Sequence, residues 1–249
     1  MATNPVAAAT SEAQASISPV GRIVGVLFSP KATFEDIVRK PSWLLPTAIL
    51  CLMALVVGFG LNQKVNWREV VSQQMEKSEQ TAQLSEQDKE KRIEAGAKIA
   101  PIFSYLGVPV TILLVLVAAL VMLGAYNVMA GVNPGYVTAL GIVSHAYVPL
   151  VIANILFLVV LFLKPAGTLD INNPVATNVA ALLPEDAPKW LDALCKNLDI
   201  FLIWILVLIA MGFTAANPKK LKGGKSYGIA FGAFAVYVVL RVGIAFVLS

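Results

Sequence analysis

The chain has 249 residues, of which 57% are hydrophobic and only 14% charged, with a formal net charge of +4. A soluble domain carries about 25% charged residues, so this composition excludes an ordinary water-borne globule and makes lipid the solvent to which the chain is matched. The basic residues flank apolar runs instead of gathering into a stripe, which argues against nucleic acid as a partner. Cys51 and Cys195 form neither a metal-ligand pattern nor a disulfide framework.

In chain order, residues 1–18 are rich in Ala, Ser and Thr and read as a disordered tail. They lack the basic start and apolar run of a secretory signal. Residues 19–249 then form one membrane domain. Val20, Ile23, Val24, Leu27 and Phe28 recur at helical spacing, and Ser29 with Pro30 restarts a helix whose apolar positions are Phe34, Ile37 and Val38. Two places suit these amphipathic helices: the plane of the cytoplasmic headgroups, or the side of the bundle with no lipid contact.

The fold class is an all-α integral membrane protein, a bundle of five transmembrane helices preceded by the amphipathic pair. The expected spans are 43–61, 102–129, 137–163, 198–215 and 227–248, each at or above the ~18 apolar residues that cross a hydrocarbon core. The second and third are long enough to tilt, and Pro109 and Pro149 remove a helix hydrogen bond in each, permitting a kink. Between them Asn133, Pro134 and Gly135 supply turn chemistry for a tight hairpin.

The loop between the fourth and fifth spans carries Lys219, Lys220, Lys222 and Lys225 with no acid, which places it in the cytoplasm by the positive-inside rule. Five spans then put the N-terminus there too, with Arg22, Lys31, Arg39 and Lys40, and the C-terminus outside. The opposing vote is the first outer loop, 62–98, with seven basic and seven acidic residues. Trp67, Val70, Val71 and Met75 share a helical face in it, and Ser85 with Asp88 forms a capping box that opens a second helix. In that helix Asp88 with Arg92 and Glu94 with Lys98 are i, i+4 pairs. The last outer loop is turn-rich and ends on a short amphipathic start with Pro188 and Trp190.

Catalytic templates fail: there is no zinc-protease HExxH, no phosphate loop and no paired-cysteine motif. Ser144 and His145, the only histidine, are adjacent and point about 100° apart on a helix, so they cannot bond each other. A charge at the centre of a span costs about 2.5–3.5 kcal/mol on insertion scales, so Asn127, His145, Asn154, Asp199 and Arg241 each need a partner or a wet cavity. Arg241 lies roughly 21 Å from the cytoplasmic edge, Asn154 at similar depth and Asp199 in the outermost turn of span four. An Asp199–Arg241 pair with Asn154 nearby is therefore expected, as a structural staple or as an ion or headgroup site. Arg241 reaching to the outer headgroups is the other possibility. His145, roughly 12 Å deep and four residues before Pro149, is expected to satisfy a carbonyl near the kink. Gly228 and Gly232 form GxxxG in span five and are expected to pack closely within the bundle.

The order of LFSPKATFEDI, WLLP, the hairpin NVMAGVNPGYVTALGIVSHAYVP, the span LDIFLIWILVLIAMGF and the loop KKLKGGKSYG resembles the Yip family of Ypt/Rab-interacting membrane proteins, bacterial branch. The resemblance implies five spans, a cytoplasmic N-terminus, an outer C-terminus and no enzymatic activity. The DLYGP motif of eukaryotic members does not occur, so Rab binding is not carried over. The expected function is that of a non-enzymatic scaffold or adaptor in the inner (cytoplasmic) membrane, without cofactors. Its partners are the bilayer, membrane proteins of unstated identity and a possible second copy of the chain. The alternative is a small transporter or channel component built on the intramembrane polar residues.

Overall fold

The computed structural model describes residues 16–76, 81, 84–165, 173, 175–184 and 187–247. Residues 1–15 of the expected tail, 77–80 and 82–83 of the first outer loop, 166–172, 174 and 185–186 of the last outer loop, and 248–249 lie outside these residues. The described elements are helical: α1 (Pro19–Phe28), α2 (Pro30–Arg39), α3 (Leu44–Lys64), α4 (Trp67–Glu76), α5 (Glu86–Phe103), α6 (Gly107–Ala130), α7 (Tyr136–Ala146), α8 (Pro149–Leu163), α9 (Lys189–Lys196), α10 (Ile200–Ala216) and α11 (Lys225–Val247).

Four stretches are long and apolar enough to cross a membrane: Leu44–Lys64, Glu86–Ala130, Tyr136–Leu163 and Lys225–Val247. The fifth apolar helix, α10, has 17 residues, about 25 Å at 1.5 Å per residue. That is shorter than a hydrocarbon core of about 30 Å. It is also the most enclosed long helix: Phe201, Ile205, Leu206, Leu208, Ile209, Ala210, Gly212 and Phe213 are buried, and α2, α7, α8 and α11 pack around it. A helix apolar on every face is stable only where every face is covered, and here protein covers most of α10.

Small residues let the helices approach. A Cβ on Gly212 would lie 2.3 Å from Ile142 Cγ2 and 3.1 Å from Phe34 Cδ1, so this glycine is where α2, α7 and α10 meet. Gly58 and Gly60 of α3 admit Tyr105 and Leu158 in the same way. Gly228 and Gly232 do not: a Cβ at either meets nothing within 4 Å. The expected GxxxG seam inside the bundle is thus corrected, because the buried face of α11 is turned by Ser226, Ile229 and Ala230 and leaves Gly228 outside.

The turn between α6 and α7 needs glycine. Gly131 ends α6 at φ 60° and Gly135 precedes α7 at φ 85°, left-handed values that only glycine adopts without strain. Asn133 Oδ1 accepts from the Gly135 N–H at 3.1 Å. Lys220 reaches across to this turn and donates to the Gly131 carbonyl at 2.7 Å, capping the negative end of α6.

The two prolines behave differently. Pro149 opens α8, and α7 ends at Ala146. The carbonyl of His145, which Pro149 cannot serve, accepts from the Val148 N–H at 3.1 Å instead. Pro109 is the third residue of α6, a position where a missing N–H costs little. The irregular backbone precedes it, as a 3-10 turn at Ser104–Leu106 between α5 and α6. The expected kink at Pro109 is therefore corrected: the helix starts there and the break lies upstream.

α4 and α5 form a helical hairpin, an arm whose second helix runs through the 3-10 turn into α6. They pack on each other, with a Gly96 Cβ position 2.9 Å from Val71 Cγ1, and neither fully buries a residue. Arg68 pairs with Glu90 across the two helices, and Glu94 pairs with Lys98 at 2.9 Å. Asp88 takes the Ser85 hydroxyl at 2.7 Å, and Lys89 pairs with Glu86 at 2.8 Å.

Candidate functional site

Polar groups gather at three places in the bundle. At the end where α2 meets α10, Arg22 of α1 is 3% exposed and Asp36 of α2 is 2% exposed. Arg22 Nε donates to Asp36 Oδ2 at 2.8 Å, and Nη2 lies 2.8 Å from the same oxygen. Nη1 donates to the Lys40 carbonyl at 2.9 Å and to Ser42 Oγ at 2.7 Å. Four residues apart, Arg22 and Val26 form the inward face of α1, while Val20, Val24 and Phe28 are exposed on the other. The charge is inside and an apolar stripe is outside. Sequence reasoning missed this staple. Its signal is Asp36 at i+3 from Thr33 and beside Ile37, a carboxylate on the buried face of α2.

Nearby, the Tyr126 hydroxyl donates to the Ser226 carbonyl at 2.8 Å and contacts Ser226 Oγ at 2.8 Å. Ser226 Oγ donates to the Ala210 carbonyl at 2.7 Å. The Tyr126 ring stacks on Phe213, with centroids 3.9 Å apart and planes at 3°. One phenol thus joins α6, α10 and α11.

Packed against this cluster, α7 is buried on every side from Ala139 to Ala146, within α6, α10 and α2, and a Cβ on Gly141 would lie 3.2 Å from the Ser42 carbonyl. His145 Nδ1 lies 2.8 Å from the Gly141 carbonyl, and Ser144 Oγ donates to the same oxygen at 3.1 Å. Ser144 Oγ and His145 Nδ1 thus meet on one carbonyl of their own helix, and His145 is buried.

The third place is the opposite end. Asn154 of α8, Arg241 of α11, Lys196 of α9, and Thr177 and Asn178 of the last loop border a cavity of about 360 Å³. Phe201, at the start of α10, closes its back. Phe201 lies 11 residues before Gly212, so about 17 Å separates this cavity from the α2 end. α8 and α11 both pack on α10 and not closely on each other, which leaves the space between them.

The expected Asp199–Arg241 ion pair is not made. Asp199 Oδ1 accepts from the N–H groups of Phe201 at 2.8 Å and Leu202 at 3.2 Å, capping α10. Its Oδ2 accepts from Thr177 Oγ1 at 2.6 Å. The carboxylate is satisfied by the helix terminus, where a negative charge is most favoured. Arg241 instead reaches Asn197 Oδ1 at 3.4 Å. The structure does bring Arg241 and Asn154 to one cavity, and adds Lys196, which sequence reasoning left unassigned because α9 folds back onto α11. Lys196 also pairs with Asp192 at 2.9 Å. Lys220, in the same loop as Lys219, Lys222 and Lys225, lies at the far end against the α6–α7 turn.

Long apolar helices with their polar groups fastened to one another define this chain as an α-helical, multi-pass membrane protein. More narrowly, the model of the Yip1 domain matches residues 24–242, and the chain belongs to the Yip1 domain family. No curated protein and no solved structure matches it.

Proposed function

We propose that the protein is a non-enzymatic scaffold or adaptor that crosses the cell membrane five times, with α10 as the fourth crossing. The N-terminus, α1, α2 and the loop with Lys219, Lys220, Lys222 and Lys225 face the cytoplasm; the arm and the C-terminus face outward. The exposed Val20, Val24 and Phe28 of α1 suit the acyl boundary of the inner leaflet, with Lys31 and Lys40 beside them.

The observation that carries this reading is the arm. Asn62, at the end of α3, donates from Nδ2 to the Pro101 carbonyl at 3.2 Å and to Ser104 Oγ at 3.1 Å, and accepts from Trp67 Nε1 at 2.8 Å. One side chain ties α3, α4 and the α5–α6 junction together. The arm therefore continues a span at a fixed base while its own sides stay uncovered, which suits a docking element.

Cysteines introduced singly at Glu76, Lys91 and Lys222 of a Cys51→Ser/Cys195→Ser protein test the arrangement in intact cells. An impermeant maleimide is expected to label the first two and spare the third; the reverse pattern overturns the orientation. A photo-crosslinker at Lys91 is expected to trap the same membrane proteins repeatedly, and a bare arm would remove the adaptor role. The transporter reading rests on the Asn154–Arg241 cavity. Proteoliposome flux abolished by Arg241→Gln in a folded protein would favour it.

A further inference from the structure

We propose that the cavity between α8 and α11 is a binding site for a phosphate-bearing anion, with Arg241 as its principal ligand and Asn154 and Lys196 as its supports; this stands independently of the adaptor reading. Two cations and several amides border the cavity, and among the described residues that line it there is no carboxylate. Two described acids bond lining residues from behind: Asp199 caps α10 and takes Thr177 Oγ1, and Asp192 pairs with Lys196, which leaves Arg241 as the lining cation with no carboxylate partner among the described residues.

The guanidinium has five N–H donors, and its one hydrogen bond among the described residues, to Asn197, is long at 3.4 Å. Asn197 is itself held by donating to the Ala193 carbonyl at 2.6 Å, so it steers Arg241 without satisfying it. The Asn154 carboxamide makes no hydrogen bond among the described residues, although it lines the cavity. Asn173 and Asn178 bond each other at 2.9 and 3.3 Å, which stiffens the opposite wall. A fork of charged donors bordering the same cavity as an amide, with no described acid among the lining residues, matches the planar recognition of phosphate oxygens by arginine.

The volume, about 360 Å³, suits a headgroup or a small organic phosphate. The same chemistry is offered by a phospholipid headgroup and by free phosphate. The exposed apolar side chains on either side, Ile155 and Val159 of α8 and Leu240 and Ile244 of α11, would line acyl chains if the source is a lipid.

The test uses the full-length protein in detergent, with phosphatidylglycerol followed by native mass spectrometry and inorganic phosphate followed by calorimetry. One saturable site for at least one probe is expected. Arg241→Gln should weaken it by about tenfold or more, the loss of a charged hydrogen bond. Asn154→Asp, which places a negative charge in the cavity, should do the same if Arg241→Gln fails to fold, and Lys220→Gln should leave the affinity unchanged. Phosphatidylglycerol bound in a variant-sensitive way, with phosphate inert, assigns a lipid; phosphate bound with the same sensitivity assigns a free anion. No saturable binding of either probe, or affinity unchanged from the parent protein in both cavity variants, overturns the site.

Discussion

Arg22 and Arg241 sit at opposite ends of the bundle and are treated in opposite ways. Arg22 is enclosed and fully engaged by Asp36, the Lys40 carbonyl and Ser42. Among the described residues, Arg241 has one long hydrogen bond, to a neutral amide. A guanidinium removed from water needs an acceptor for each desolvated N–H, and the first has found its acceptors within the chain. The lesson is one of division of labour: the α2 end is closed by its own chemistry, whereas the cavity end retains donors for something else.

The sharpest way to break the comparison is at Asp36. Asp36→Asn keeps the shape but leaves the Arg22 charge buried without a counter-charge, so it is expected to cost about 3–5 kcal/mol. The measurement is unfolding in detergent followed by tryptophan fluorescence. Replacing both partners, with Arg22→Met and Asp36→Leu, should recover much of that loss because no orphaned charge remains. A single variant as stable as the parent would mean that Arg22 leaves the interior for the headgroups.

A smaller effect is expected at Gly212. Its new Cβ in Gly212→Ala would meet Ile142 and Phe34, both fully enclosed, and overpacking of that kind costs about 1–3 kcal/mol. Gly228→Ala and Gly232→Ala enter open space and should be neutral or stabilise by up to about 1 kcal/mol. The same unfolding assay separates them. Equal losses at all three glycines would show that α11 packs through Gly228 after all, against a second copy of the chain.

What was legible in the sequence was mostly local. Apolar length marks the spans, and Asn133, Pro134 and Gly135 mark the hairpin, because turn geometry depends on adjacent residues. The arm helices were readable from Ser85 and the face of Trp67, Val70 and Val71. Their junction with α6 was not, since Pro101 and Pro109 look alike in sequence and differ only in where the helix restarts. The role of α10 as an enclosed centre was hidden for another reason: a helix apolar all round gives no indication of which neighbours cover it. Depth counting puts Asn154 at the depth of Arg241 and Asp199 in the outermost turn, and Asn154 and Arg241 do line one cavity. It carried no information about the direction around each helix axis, and the N–H groups at the start of α10 were closer competitors for the carboxylate.

That competition is measurable, and it predicts the smallest effect of all. If Asp199 serves α10 and Arg241 serves the cavity, their energies are independent. Asp199→Ala should cost about 0.5–2 kcal/mol through the lost cap, and Arg241→Gln should change stability by no more than about 0.5 kcal/mol in anion-free detergent. The double variant should then equal the sum to within about 0.5 kcal/mol. A coupling above about 1 kcal/mol would restore the ion pair and remove the free guanidinium on which the contrast with Arg22 depends. The null result is informative because stability and binding would part company: a residue whose loss leaves the fold intact, yet abolishes anion retention, is held in place for a ligand and not for the bundle.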